Sequence, residues 1–318
     1  MGDCPASMGT NRARMAVRSD CQAKDRRAFK LLAAAVAAMI TERIVAAVRG
    51  IFMSLASDGY LSLAVASWIA KHRADHAEWF NLADRLNRIC QRVMLAAVVP
   101  DGDNRALLVL LFFARALSSF QGAVLMIERG MSVEALTLSR SCLESSFYLG
   151  AVAHSPDFIE RLISSDTAHK RKVATWLTSP AAAVTELSAD QLEKLRGFLV
   201  NLNAAPAKAA PVTIKSTADT AGLSDIYETV YRDLSDRAAH PSLNSLLRHI
   251  SLDAHGNAIG LRFGPETKGM GETILAMTTA LFYAVTGMGG VFPHGEECSP
   301  EIDACWEVHK RLIERTGS

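Results

Sequence analysis

Aromatic side chains are scarce, 7% of the 318 residues, and the chain carries almost no net charge, +1. With so few aromatics, Ala, Leu and Val must supply most of a core whose hydrophobic share is 49%. Runs of β-branched residues are scarce as well, which argues against a sheet-dominated fold and favours helices. A charge so close to zero excludes a global pull toward nucleic acid or anionic membrane, so binding of that kind needs a local patch. No CxxC pair occurs among Cys4, Cys21, Cys90, Cys142, Cys298 and Cys305. Scattered thiols, one of them (Cys142) inside an apolar segment, fit a reducing, cytoplasmic setting. Internal repeats and low-complexity tracts are also missing.

Uncharged runs long enough for a membrane are few. "RRAFKLLAAAVAAMI" places Arg26 and Arg27 before a short apolar run, as an export signal would, yet Glu42 and Arg43 follow within the same helical pattern. An amphipathic helix is the expected reading. Residues 106–127 are interrupted by Arg115, and 273–293 carry no charge but four Thr and the late Gly287, Gly289 and Gly290. No membrane partner is expected, though a core helix and a membrane-associated helix both stay open for 273–293.

What is present is a succession of helical patterns. Residues 1–24 read as a disordered tail, 25–104 as an N-terminal helical region, 105–293 as a helical core domain, and 294–318 as a C-terminal loop and helix. Within these, helices are predicted over 25–57, over 60–99 with a break near His76, and over 105–129 with a stop at Gly130. Ser132 is the expected N-cap of the next helix, and Ser155 of the one after it, with Pro156 at its first position. Further helices are expected over 190–203, 224–239 and 300–315, with an Ala/Pro-rich, loosely structured connection before Gly222. "HISLDAHGNAIGLRFGP" contains a His-Gly-Asn turn between short alternating segments, so one small β-hairpin is expected near 247–263. The fold class is all-α, a multi-helix bundle with that single hairpin.

Two constellations could carry chemistry. Arg140 and Glu144 stand i to i+4 on a helix that reads as buried nearly all round, and Arg115 is alone in "LLVLLFFARALSSF" on the preceding helix. Buried ions must be paired, so either a structural ion network or a functional pocket is expected where these helices meet. The second constellation is "YRDLSDRAAHPSLNSL", residues 231–246. At about 100° per residue, Asp233, Asp236, Arg237 and His240 share one helix face, while Tyr231, Leu234 and Ala238 turn toward packing. Pro241 places His240 at the very end of that helix, where the dipole and Asp236 favour imidazolium. A general acid, a phosphate anchor and a simple C-cap all remain open for it.

Other groups are weaker. His294, Cys298, Cys305 and His309 are zinc-type ligands, but their spacing matches no common zinc module, and Ile302 and Leu312 share the face. Core residues, with no metal and no other cofactor, are expected. "HKRK" (His169 to Lys172) reads as a solvated face, and "GMGG" (Gly287 to Gly290) lacks the Lys-Ser/Thr of a phosphate loop.

"ARALSSFQGAVLMIERGMSVEALTLSRSCLES" followed later by "YRDLSDRAAHPSLNSL" resembles a bacterial family catalogued as a domain of unknown function, number 5677. The elements that carry the resemblance are Arg115, Gly130, Glu134-Ala135, Arg140, Glu144, Tyr231, Ser235 and His240-Pro241-Ser242. It covers roughly 105–290 and implies an all-helical fold with no settled activity. A wider similarity is to the HEPN helical superfamily, many of whose members are metal-independent ribonucleases of toxin and antiphage systems. Their signature places an Arg about four to six residues before a His. Seven residues separate Arg232 from His240 here and two separate Arg237 from it, so neither fits.

Two functions follow. In one, the protein is a binding, sensing or interaction module of a bacterial stress or defence system. Arg115, Tyr231 and Ser235 would then help bind a small molecule, and a protein partner or a second copy of the chain is expected. In the other, it cleaves RNA without a metal: His240 acts as general acid or base, Arg140 and Arg232 stabilise the phosphate, and Glu144 and Asp236 orient them.

Overall fold

The computed structural model describes residues 55–179, 187–204, 211–239, 243–292 and 295–316. The expected tail 1–24, nearly all of the helix predicted over 25–57, His240 with its Pro-Ser partners, and His294 lie outside them.

A short helix, Leu55–Asp58, and a tight turn, Gly59–Leu61, precede α1 (Val65–Asp75) and α2 (Ala77–Ala96). His76, at φ −124° and ψ 35°, makes the break expected between these two helices. Two long helices then form the heart of the molecule, α3 (Asn104–Ile127) and α4 (Ser132–His154). Asp103 caps α3 by accepting the Ala106 amide at 2.9 Å. Gly130, at φ 72°, allows the chain to reverse between the two helices.

Stacking of Phe112 on Tyr148, contact of Ser119 Oγ with Ser141 Oγ at 3.4 Å, and donation by Arg105 to the Val152 carbonyl set an antiparallel register. α5 (Phe158–Leu177) and α6 (Ala189–Ala204) pair with each other at one side. Asp157, not Ser155, stands at the N-cap of α5, and Ser155 contributes its carbonyl to the Phe158 amide at 3.1 Å. Ser132 is likewise inside α4 rather than capping it; its hydroxyl is buried without a partner among the described residues.

The connection expected to be loose holds a helix, α7 (Ile214–Thr220), packed on α4. Thr213 and Ser216 form a reciprocal capping box that starts it. A continuous helical segment, 224–239, follows. Two π-helical stretches, Tyr227–Tyr231 and Ser235–Ala239, are spliced between α-helical pieces Ser224–Ile226 and Arg232–Leu234. In the first, the Arg232 amide reaches back five residues to the Tyr227 carbonyl. After α8 (Leu243–Leu247) comes the expected hairpin, β1 (Ile250–Leu252) antiparallel to β2 (Ala258–Leu261), with Ile250 opposite Leu261. Asp253 orders its turn by accepting the His255 and Asn257 amides.

α9 (Met270–Gly289) packs across α3 and α4, and α10 (Gly295–Thr316) lies against α2 and α9. The uncharged run of α9 is a core helix: Ile274, Met277, Ala280, Leu281 and Ala284 are buried. Ser146 ties α4 to it by donating to the Ala280 carbonyl at 2.8 Å. Phe113, Phe120 and Phe147 are fully enclosed, and each such ring contributes about 1.5–3 kcal/mol by leaving water. α3 is long and apolar enough to cross a membrane by length and composition, and its outer face exposes Leu107, Leu111 and Leu125 around Arg115. Helices therefore make the architecture, with one small two-stranded sheet among the described residues.

Candidate functional site

α4 is covered almost all round, as its composition suggests, but its ions are not in the sealed part. Arg140 and Glu144 lie in a half-covered strip with Ser141 and Tyr148, beside exposed Thr137, and their side chains are 25% and 28% exposed. This corrects the expectation of a fully buried pair: Arg140 is covered from the 224–239 segment through Tyr231, and part of both side chains stays open to solvent. Arg140 Nη2 sits 3.0 Å from Glu144 Oε1, as i to i+4 spacing allows.

Tyr231, from the first π-helical stretch, closes the pair into a triangle. Its hydroxyl accepts from Arg140 Nη2 at 2.7 Å and from Nε at 3.2 Å, and donates to Glu144 Oε1 at 2.8 Å. The guanidinium carbon lies 5.1 Å from the Tyr231 ring centre, close enough for a cation–π contact. Tyr227 stacks on Tyr231 with centres 5.1 Å apart, and Phe147 tilts against it from α4 at 5.9 Å. Burial raises the Tyr231 pKa; donation from Arg140 opposes that and Glu144 adds to it. The phenol therefore stays protonated and serves as a donor.

The remaining candidates are spread out. Arg115 lies level with Ser145 by the α3–α4 register, but its side chain is exposed rather than buried and makes no ion pair among the described residues. Arg232 points to solvent, 67% exposed, and pairs with Glu228 at 2.8 Å, on the side away from buried Tyr231. Asp236 is exposed. Ser235 is half-buried, and its hydroxyl is enclosed without a hydrogen-bond partner among the described residues. Tyr231 and Leu234 do turn inward, and Arg237 bridges Asp233 at 2.9 Å and Glu272 on α9 at 2.8 Å. His240 lies outside the described residues.

Of the zinc-type residues, Cys305 and His309 are buried on the inner face of α10. His309 Nδ1 meets Thr278 Oγ1 at 3.0 Å and Nε2 meets Thr279 Oγ1 at 3.2 Å. No group of three or more metal-ligating side chains occurs among the described residues.

Sequence reading missed a second charged region. Arg248 and Arg262 flank the hairpin at nearly equal distances from its turn, and Lys268 precedes α9. All three line one cleft with Arg237. The signal was there, since the Arg262 amide pairs with the His249 carbonyl at 2.7 Å once the hairpin closes, which brings the two arginines to one end.

No curated protein and no solved structure matches the chain. A family model does match, and its span runs from the first turn of α3 into β2, so Arg140, Glu144, Tyr231 and Arg248 all fall inside it. The chain is a helical protein whose residues 106–258 match the family described as Family of unknown function (DUF5677).

Proposed function

We propose that this chain is a binding and sensing module, in which the Arg140–Tyr231–Glu144 triangle clamps a rearrangeable helical segment onto α4. The observation that carries this reading is the closure of the triangle on itself. The single phenolic proton of Tyr231 is committed to Glu144, and the phenolic oxygen accepts from Arg140 twice. A general acid or base needs a proton or lone pair aimed at a substrate, and here those sites face each other. The clamp instead holds a segment with two π-helical stretches and, at Ser235, a buried hydroxyl with no partner among the described residues. π-Helical turns are costly local arrangements that recur at functional sites, and a slip to α-helical spacing would re-aim every side chain beyond Tyr231. Such an element has two arrangements for a ligand or partner to choose between.

A metal-independent ribonuclease is the second reading. It is favoured by the cations near the end of the same segment, Arg237 and Arg248. RNA integrity separates the two readings in cells expressing wild type or His240→Ala at matched soluble levels. Intact RNA in both is expected of the binding module. Fragmentation with wild type alone would sink it.

A further inference from the structure

The hairpin, the end of the 224–239 segment and the start of α9 enclose a cleft of about 460 Å³. Its charged lining is Arg237, Arg248, Arg262 and Lys268 against Glu266 and Glu272. Both carboxylates are already engaged. Arg237 holds Glu272 at 2.8 Å, with Asp233 on its other side, and Arg262 lies 3.6 Å from Glu266. Arg248 and Lys268 have no ion-pair partner among the described residues.

Arg248 is the more informative of the two, because it is half-buried. Its pKa is lowered by burial first and by the like charge of Arg237 next, against weaker pulls from Glu266, Glu272 and Asp233. A guanidinium that loses hydration and repels its neighbour works against folding unless an anion compensates it.

The third element is the N-terminus of α9, a helix of 20 residues. Gly269, which lines the cleft, sits just before it at φ 76°, and no side chain caps the helix. The Met270 amide donates to the Thr267 carbonyl at 3.1 Å, so what favours negative charge there is chiefly the helix dipole. The lining also includes Leu247 and Leu252, which are apolar and partly exposed.

The volume is that of a small-molecule site. Two free cations and one helix terminus match one or two phosphate groups. A nucleic-acid strand would need a track of cations leading out of the cleft, and a chain of net charge +1 provides no broad field for it. We propose that this cleft binds a phosphorylated small molecule of mononucleotide size, with its phosphates on Arg248, Lys268 and the α9 N-terminus and its body against Leu247 and Leu252. The inference gives a ligand class to the binding-module reading and rests on it. It fails separately, because RNA integrity judges that reading without reference to phosphate binding.

Isothermal titration of the full chain with ADP, inorganic pyrophosphate, adenosine and a ten-nucleotide single-stranded RNA tests it. ADP and pyrophosphate are expected to saturate one site while adenosine does not. Arg248→Gln and Lys268→Gln should each weaken both phosphate compounds at least tenfold. Lys268 is exposed, so its variant keeps the test valid if Arg248→Gln folds poorly. Without ligand, Arg248→Gln should melt no lower than wild type, since it removes the repulsion with Arg237. Any of three results would overturn the proposal: no heat with either phosphate compound, affinities unchanged in both variants, or RNA bound where ADP is not.

Discussion

Tyr231 shows what one hydroxyl can do at a helix–helix contact. It bridges an ion pair that the i to i+4 spacing of Arg140 and Glu144 already brings to 3.0 Å, and it adds three hydrogen bonds to charged partners. Tyr231→Phe keeps the ring stacked on Tyr227 but leaves Glu144 Oε1 and two guanidinium N–H groups short of a partner. Hydrogen bonds to charged groups contribute about 1.5–3 kcal/mol, and water reaching the half-exposed strip recovers part of that. A loss of about 1–2 kcal/mol is expected in urea unfolding, with faster amide exchange across 224–239. An unchanged exchange pattern would mean that the triangle does not clamp the segment. The pairing of Arg140 with Glu144 is legible in the sequence, because helical geometry alone imposes it. Tyr231 as the third member is not, since it lies 91 residues from Arg140 and arrives only through packing. Arg115 makes the same point in reverse: an arginine in an apolar run reads as buried, yet the run has an outer face and Arg115 lies on it.

Among the elements, the turn between α3 and α4 couples the core to the cleft. Gly130 holds a positive φ, its carbonyl accepts the Glu266 amide at 3.2 Å, and a Cβ there would stand 2.5 Å from that amide nitrogen and 2.8 Å from Pro265 Cα. Both obstacles are backbone, so they cannot simply rotate away. Gly130→Ala therefore combines left-handed strain of about 1–2 kcal/mol with a forced shift of the backbone at 265–266. A loss of more than about 3 kcal/mol in urea is expected, larger than most single substitutions give. A variant within about 1 kcal/mol of wild type would show that this turn can move freely. Sequence marked Gly130 as a helix stop and marked the hairpin through its turn residues. It did not mark the π-helical stretches of 224–239, because their residues have no propensity that separates i+5 from i+4 bonding. Thr213 and Ser216 carried a capping box that the surrounding Ala and Pro concealed.

For the whole molecule, acid stability reports on how α10 is sealed. His309 is fully buried between two threonines, and burial lowers its pKa to about 4, while an unfolded histidine titrates near 6.5. Above pH 6.5 both states are neutral and stability is at its full value. As pH falls below 6.5 the unfolded chain takes up a proton that the folded chain refuses, so stability declines until about pH 4. The loss is about 1.4 kcal/mol per pH unit, roughly 3 kcal/mol in all. His72, also buried and shifted downward, acts in the same direction. Denaturant midpoints measured from pH 7.5 to 4.5 should fall, and His309→Gln should flatten the descent. Equal slopes in the two proteins would place the acid sensitivity elsewhere.

By itself the sequence determined the helical class, the break at His76, the reversal at Gly130, the hairpin and the Arg140–Glu144 pair. Each depends on chemistry within a few residues: propensity, turn geometry, or the period of a helix. Only the tertiary structure decided that α9 is a core helix, that Arg115 faces outward, that Tyr231 completes the triangle, and that the two hairpin arginines share one cleft with Arg237 and Lys268. Those outcomes depend on which helix faces meet, and facing is a property of the packed whole that local patterns leave undetermined.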